Sequence, residues 1–230
     1  MARNIVFSEG EFYHLYNRGT EKRKVFMREA DYQRFLALLF LCNGSIAVDL
    51  KLQGRTLFEL ASINKGESIV DICAYCLMPN HFHLLLREKQ KGGISHFMQK
   101  LITGYTMYFN KRYDRNGGLF QGKFKAKHAD DDRYLSYLFA YVHLNPVALV
   151  EKDWREKGIV NRKGAEVFLK GYALSSFLDY AGDERLESAI INKNALPDYA
   201  ETRRGFERLV TDWLDYKKSV LPPQLQGRTL

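Results

Sequence analysis

The stretch "IVDICAYCLMPNHFHLLLRE" at residues 69–88 limits the fold more than any other part of the chain. A β-rich run at 69–77 is broken by Met78-Pro79-Asn80 and resumes as "HFHLLLRE", so two strands joined by a tight turn form an antiparallel hairpin. Upstream, "GEFYHLYN" (10–17) reads as a strand that ends in the charged loop "RGTEKRK". The next segment, "DYQRFLALLFLCNG", reads as a helix with Asp31 as N-cap and an Asn-Gly stop. Residues 45–68 fit either a strand or a short helix. After Gly92-Gly93, Ile94, Phe97, Met98, Leu101, Tyr105, Tyr108 and Phe109 recur near the helical period and predict a long amphipathic helix. The loop "NGGLFQGKFKAKH" follows, with one short strand expected between the two helices, and "DDDRYLSYLFAYVHLNP" (130–146) then predicts a helix with an acidic first turn and a proline stop.

This order predicts an α+β fold: an antiparallel sheet covered by helices, ferredoxin-like or RNA-recognition-like, with a C-terminal helical extension. The main domain is expected over residues 1–182 and the extension over 183–230, where Phe206, Leu209, Val210, Trp213 and Leu214 share a helical face that packs on the domain. The hexapeptide "LQGRTL" occurs at 52–57 and 225–230, but one short match does not make a repeat architecture.

With 230 residues and 46% hydrophobic composition the chain can bury one substantial core. The excess of 35 Lys+Arg over 27 Asp+Glu, a net +8, favours polyanionic partners and nucleic acid first, although solubility alone produces such balances too. The first residues lack a signal-peptide h-region, and the longest apolar run, "FLALLFLC" at 35–42, is short of a membrane span. A soluble protein of the cytoplasm and nucleoid is the expectation. Cys73-Ala-Tyr-Cys76 has the spacing of a zinc half-site or redox pair, but no second cysteine pair exists and the segment is strand-like, so these are expected to be buried strand cysteines.

On a strand His81 and His83 project to one face, with Cα atoms about 6–7 Å apart, and Phe82 to the other. Two imidazoles so placed can converge on one divalent ion; a solvent-facing or hydrogen-bonded pair is the plain alternative. Tyr141 and Asn145 lie four apart on the 130–145 helix and so share a face. The Asn145 amide oxygen can complete a His-His-Asn set, and Tyr141 can serve as nucleophile, given a metal-polarised phosphate and electropositive surroundings to offset the usual phenol pKa near 10. Spacing alone also suits a helix-packing tyrosine. His143 falls off that face and reads as a surface or helix-end histidine.

"AYCLMPNHFHLLL" resembles the His-hydrophobic-His motif of the HUH single-tyrosine transposases, and "YLFAYVHLNPVALV" resembles the segment that carries their catalytic tyrosine. "YHLYNRG" (13–19), "YFNKRYDRNGGLFQGKF" (108–124) and "YALSSFLDYAG" (172–182) are similar to the insertion-sequence type, especially its REP-associated tyrosine transposase branch, so the resemblance covers about residues 10–182. It implies that His81 and His83 bind magnesium or manganese, that Tyr141 becomes joined to a DNA 5′ phosphate, and that Asn145 supplies a further ligand where the family often has glutamine. It also implies a metal-dependent transposase that cuts and rejoins single-stranded or hairpin DNA, of the repetitive-palindrome kind, working as a monomer or as a homodimer with swapped helices. Arg18, Lys22, Arg23 and Lys24, with Lys123, Lys125 and Lys127, are expected to track the DNA backbone, and Phe120 and Phe124 to stack on bases; solvated turns and core phenylalanines are the other reading. A non-catalytic, structure-selective nucleic-acid-binding regulator on the same fold is the alternative function.

Overall fold

The Pro79-Asn80 turn closes the hairpin, with Met78 opposite His81 and the pairing running back to Val70 opposite Glu88. In the computed structural model, which describes residues 5–46, 57–60, 62–197 and 202–214, this hairpin is half of one antiparallel sheet. Its strands are β1 (Phe12–Arg18), β2 (Val70–Met78), β3 (His81–Glu88) and β4 (Lys125–Ala129), in the spatial order β2-β3-β1-β4. Helices α1 (Glu29–Cys42) and α3 (Gly93–Arg112) cover one face, and α4 (Asp132–Leu144) covers the other. The remaining helical pieces are α2 (Leu57–Leu60), α5 (Trp154–Lys157), α6 (Arg162–Lys170), α7 (Phe177–Ala181) and a last described helix, Arg203–Leu214. The α+β, ferredoxin-like expectation therefore holds, with α4 and the last described helix added on the second face.

Strand alternation divides the apolar side chains between two cores. Tyr13, Leu15, Leu77, Phe82, Leu84 and Leu86 join α1 and α3, whereas Ala74, Cys76, Met78, Leu85 and Ala129 join Leu135, Leu138, Phe139 and Val142 of α4. Every residue of β2 is buried, because both faces are covered and its outer edge is too. Leu77 N donates to Leu174 O at 2.9 Å, Ser176 N to Tyr75 O at 3.0 Å and Asn192 N to Ile72 O at 2.8 Å. Phe206, Val210 and Leu214 of the last helix are buried in the second core, with Leu209 and Trp213 packed against it, as the helical face predicts. No described helix is long and apolar enough to cross a membrane.

Three local expectations change. Asp31 is not the N-cap of α1: Arg28 is, and Asp31, three residues on, reaches back to accept from Met27 N (2.8 Å) and Arg28 N (3.0 Å). The same carboxylate accepts from Tyr108 Oη at 3.0 Å and Tyr113 Oη at 2.7 Å, so its inward position ties α3 to the start of α1. His143 is fully buried, not at the surface, with Nδ1 donating to Phe139 O (2.9 Å) and Nε2 accepting from Ser176 Oγ (2.8 Å). Burial holds it neutral, down to about 3. Phe120 belongs to the first core, its ring 5.6 Å from Phe82, and is not available to stack on a base. Cys73 and Cys76 are free and buried, as expected of strand cysteines, and Cys42 at the end of α1 is free and buried too. Of the ambiguous 45–68 segment, Leu57–Leu60 forms a helical turn; the repeated hexapeptide, Leu57 apart, lies outside the described residues.

Candidate active site on the second face of the sheet

The register of β1 decides what the histidines meet. Residues paired directly across an antiparallel ladder share a face, and β1 sets Arg18 opposite His81 and Tyr16 opposite His83. On its other side, β4 sets Lys127 opposite His14 and Lys125 opposite Tyr16. Seven side chains thus line the face below α4: His14, Tyr16, Arg18, His81, His83, Lys125 and Lys127. Above them α4 starts at Asp131, whose Oδ1 accepts from Tyr134 N at 2.7 Å. It ends at Asn145, which keeps helical backbone (φ −54°, ψ −37°) before Pro146 and the 3-10 turn Asn145–Leu149. Tyr141 and Asn145 therefore stay one turn apart on the same side.

The helix brings the Tyr141 ring edge-on to His83, centroids 5.6 Å apart at 88°, and to His14, 5.7 Å apart at 77°. His81 and His83 lie 5.0 Å apart at 89°. His14 Nε2 and His83 Nδ1 share a hydrogen bond of 2.8 Å, and His81 Nδ1 pairs with Asn80 Oδ1 at 2.6 Å. The Asn145 amide lies near enough to His81 and Tyr141 to act on both electrostatically. All four residues singled out by spacing thus meet within one chain.

Two groups that spacing does not find complete the cluster. His14 sits in "YHLYNRG" on the correct alternation, but the identity of its partner strand is not written in that segment. Arg155, in the charged stretch "EKDWREKG", carries no motif. Its Nη2 donates to Asn145 Oδ1 at 2.9 Å, and its Cζ lies 5.4 Å from the Tyr141 ring centroid and 5.8 Å from that of Trp154.

Burial keeps the imidazoles neutral. It pulls His14 down to about 3, helped by Lys127 and Arg155, and His81 to about 4, helped by Arg155 and opposed by Asn145. His83 is held well below the usual range by burial, then by His81, His14 and Arg155. Neutral imidazole is the form that donates a lone pair. With Asn80 accepting through Oδ1, His81 donates from Nδ1 and its Nε2 carries the lone pair. His83 Nε2 is buried without a hydrogen-bond partner, as are Tyr141 Oη, Asn145 Nδ2 and His14 Nδ1. Such a concentration of unpaired polar atoms is unusual in a packed interior and fits a site completed by a ligand. Among the described residues no group of three or more His, Cys, Asp or Glu is arranged for a metal ion. The candidate donors for an ion are the two imidazoles and the Asn145 oxygen, which accepts from Arg155. The Tyr141 side chain is only 4% exposed; burial pushes its phenol up, with Arg155 and Asn145 opposing.

The basic residues divide into two groups. Arg18 acts on His81, Lys127 acts on His14, and Lys125 Nζ lies 5.9 Å from the Tyr16 ring centroid, so these three border the site. Lys22 and Arg23 belong to the turn after β1, where Arg23 pairs with Glu21 at 3.1 Å, and Lys123 is exposed ahead of β4. Phe124 is partly buried and stacks on Phe7 at 6.4 Å.

This sheet, with a His-Phe-His strand beneath a tyrosine-bearing helix, spans the region that matches a known class of DNA-mobilising proteins. The family described as "Transposase IS200 like" matches residues 12–145, from the start of β1 to Asn145, and the chain belongs to it. Among solved structures the chain is similar to one described as "Structure of the REP associates tyrosine transposase bound to a REP hairpin". That likeness has 12% identity and a TM-score of 0.49, covering 81% of this chain and 89% of the other. No curated protein matches the sequence.

Proposed function

We propose that this chain is a metal-dependent strand transferase that cuts and rejoins single-stranded or hairpin DNA through Tyr141. The observation that carries the reading is the edge-on approach of the Tyr141 ring to His83 at 5.6 Å, with the phenol oxygen and His83 Nε2 both buried and unpaired. Family membership and the resemblance to the REP-associated branch support the DNA class, with a repetitive palindrome as the hairpin. His81 and His83, joined by the Asn145 oxygen, would hold Mg²⁺ or Mn²⁺. The ion would orient the scissile phosphate and offset charge developing on its oxygens. Tyr141 Oη attacks phosphorus and gives up its proton, the P–O3′ bond breaks, and the departing O3′ takes a proton. The tyrosyl 5′-phosphodiester conserves the bond, so a new 3′ hydroxyl reverses the step and joins strands without a nucleoside triphosphate. Arg18, Lys125 and Lys127 hold the backbone beside the site.

Purified protein with a labelled hairpin oligonucleotide and Mn²⁺ should give a covalent adduct that survives SDS and is absent from Tyr141→Phe. An undiminished adduct in that variant would refute the nucleophile. The near-complete burial of Tyr141 favours one other reading, a non-catalytic regulator that binds structured nucleic acid. It predicts structure-selective binding, no adduct, and an affinity indifferent to chelator.

A further inference from the structure

We propose that Arg155 binds one non-bridging oxygen of the scissile phosphate during attack by Tyr141, a role that rests on the strand-transfer reading above. Arg155 lies ten residues beyond the end of the family match, in α5, yet its guanidinium lies over the faces of both Tyr141 and Trp154. Among the described residues it has no carboxylate partner, and its neighbours in the site are neutral imidazoles, a phenol and an amide. A cation left without a counter-charge beside a buried nucleophile is matched to an anion that arrives with the substrate.

The exposures set the direction of approach. Tyr141 and Asn145 are buried, at 4% and 0%, whereas Arg155 is exposed. A phosphate entering from solvent therefore meets Arg155 before it reaches the phenol oxygen. In this state Asn145 Oδ1 is the acceptor for Nη2. A planar fork of five N–H donors can keep or exchange that bond while presenting others to one phosphate oxygen. Exchange would also return the Asn145 oxygen to the histidine pair, so one movement both engages the substrate and completes the donor set. Burial of the phenol disfavours its ionised form, and the same guanidinium opposes that effect.

The test is single-turnover adduct formation on a labelled hairpin with saturating Mn²⁺, comparing wild type, Arg155→Lys and Arg155→Met. Each protein is run on the natural phosphodiester and on both stereoisomers of a methylphosphonate at the scissile position. On phosphodiester, Arg155→Met should react on the order of 10²-fold more slowly, with hairpin affinity and melting temperature nearly unchanged and Arg155→Lys recovering part of the rate. On one methylphosphonate stereoisomer, where the charged partner oxygen is gone, the deficit should shrink to within a few-fold. A deficit of equal size on both stereoisomers would make Arg155 a positioning residue for Asn145 and overturn direct phosphate binding, as would a wild-type rate in Arg155→Met. Failure of the wild-type protein to form any adduct would instead overturn the strand-transfer reading, and this role with it.

Discussion

The two faces of the sheet use the same alternating strands but treat buried polar groups differently. On the α1–α3 face the tyrosine hydroxyls are paired: buried Tyr105 Oη donates to Val25 O at 2.6 Å, buried Tyr75 Oη accepts from Arg185 Nη2 at 2.6 Å, and half-buried Tyr108 and Tyr113 donate to Asp31. On the α4 face, Tyr141 Oη, His83 Nε2, His14 Nδ1 and Asn145 Nδ2 have none. Farther along that face, His143 is again fully paired and Tyr180 Oη donates to Cys73 O at 2.6 Å. These four atoms thus belong to one patch of the second layer. An unpaired buried polar group costs about 1–3 kcal/mol, and a fold tolerates several together where a ligand is to satisfy them.

The strongest test applies one chemical change to both faces. Tyr141→Phe should lower adduct formation on the order of 10⁴-fold or more and leave the melting temperature level or slightly raised, because it removes an unpaired hydroxyl. Tyr105→Phe should do the reverse, costing about 1–2 kcal/mol in urea titration while the adduct persists. Equal destabilisation by the two changes would break the comparison.

Adjacent residues of β3 offer the next test, since Phe82 and His83 point to opposite faces. Phe82→Ala should cost about 3–5 kcal/mol through its cavity. His83→Ala should cost much less stability but weaken Mn²⁺ binding, read calorimetrically, by at least about tenfold.

Acid should act mainly on the second face. His14, His81 and His143 are neutral in the fold, with values of about 3, 4 and 3, whereas unfolded histidine titrates near 6.5. Below that value the unfolded chain binds more protons, so the contribution is complete above about 6.5 and is lost as pH falls toward the folded values. Each histidine should add a slope of up to about 1.4 kcal/mol per pH unit in that window. His143→Gln should flatten urea-derived stability against pH by one such share, and an unchanged slope would remove His143 from the account. The smallest effect expected is on salt dependence: Lys125→Ala or Lys127→Ala should each reduce the log-log slope of hairpin affinity by about 0.7–0.9.

What the sequence showed was whatever short-range periodicity controls. The 69–88 hairpin, the α3 face and the spacing of Tyr141 and Asn145 were legible because periods of 2 and 3.6 are local. Asp31 was misread because an acid at the third helical position can reach back as well as one at the cap position can reach forward. His143 was misread because its side of α4 is covered by Ser176 and Phe206, far along the chain. His14 and Arg155 stayed hidden for a similar reason: each enters the site through a contact between distant segments, β1 against β3 in one case and α5 against the end of α4 in the other.

The covering of β2 also bears on where the molecule can be shortened. The family match ends at Asn145, and a chain cut there would keep the histidines and the tyrosine. It would also lose Leu174, Ser176 and Asn192, the residues that occupy the outer edge of β2. A nine-residue apolar strand with open N–H and C=O groups is a template for another chain's strand. With the segment after the matched region in place that template is covered, and a chain cut at Asn145 should be recovered as aggregate.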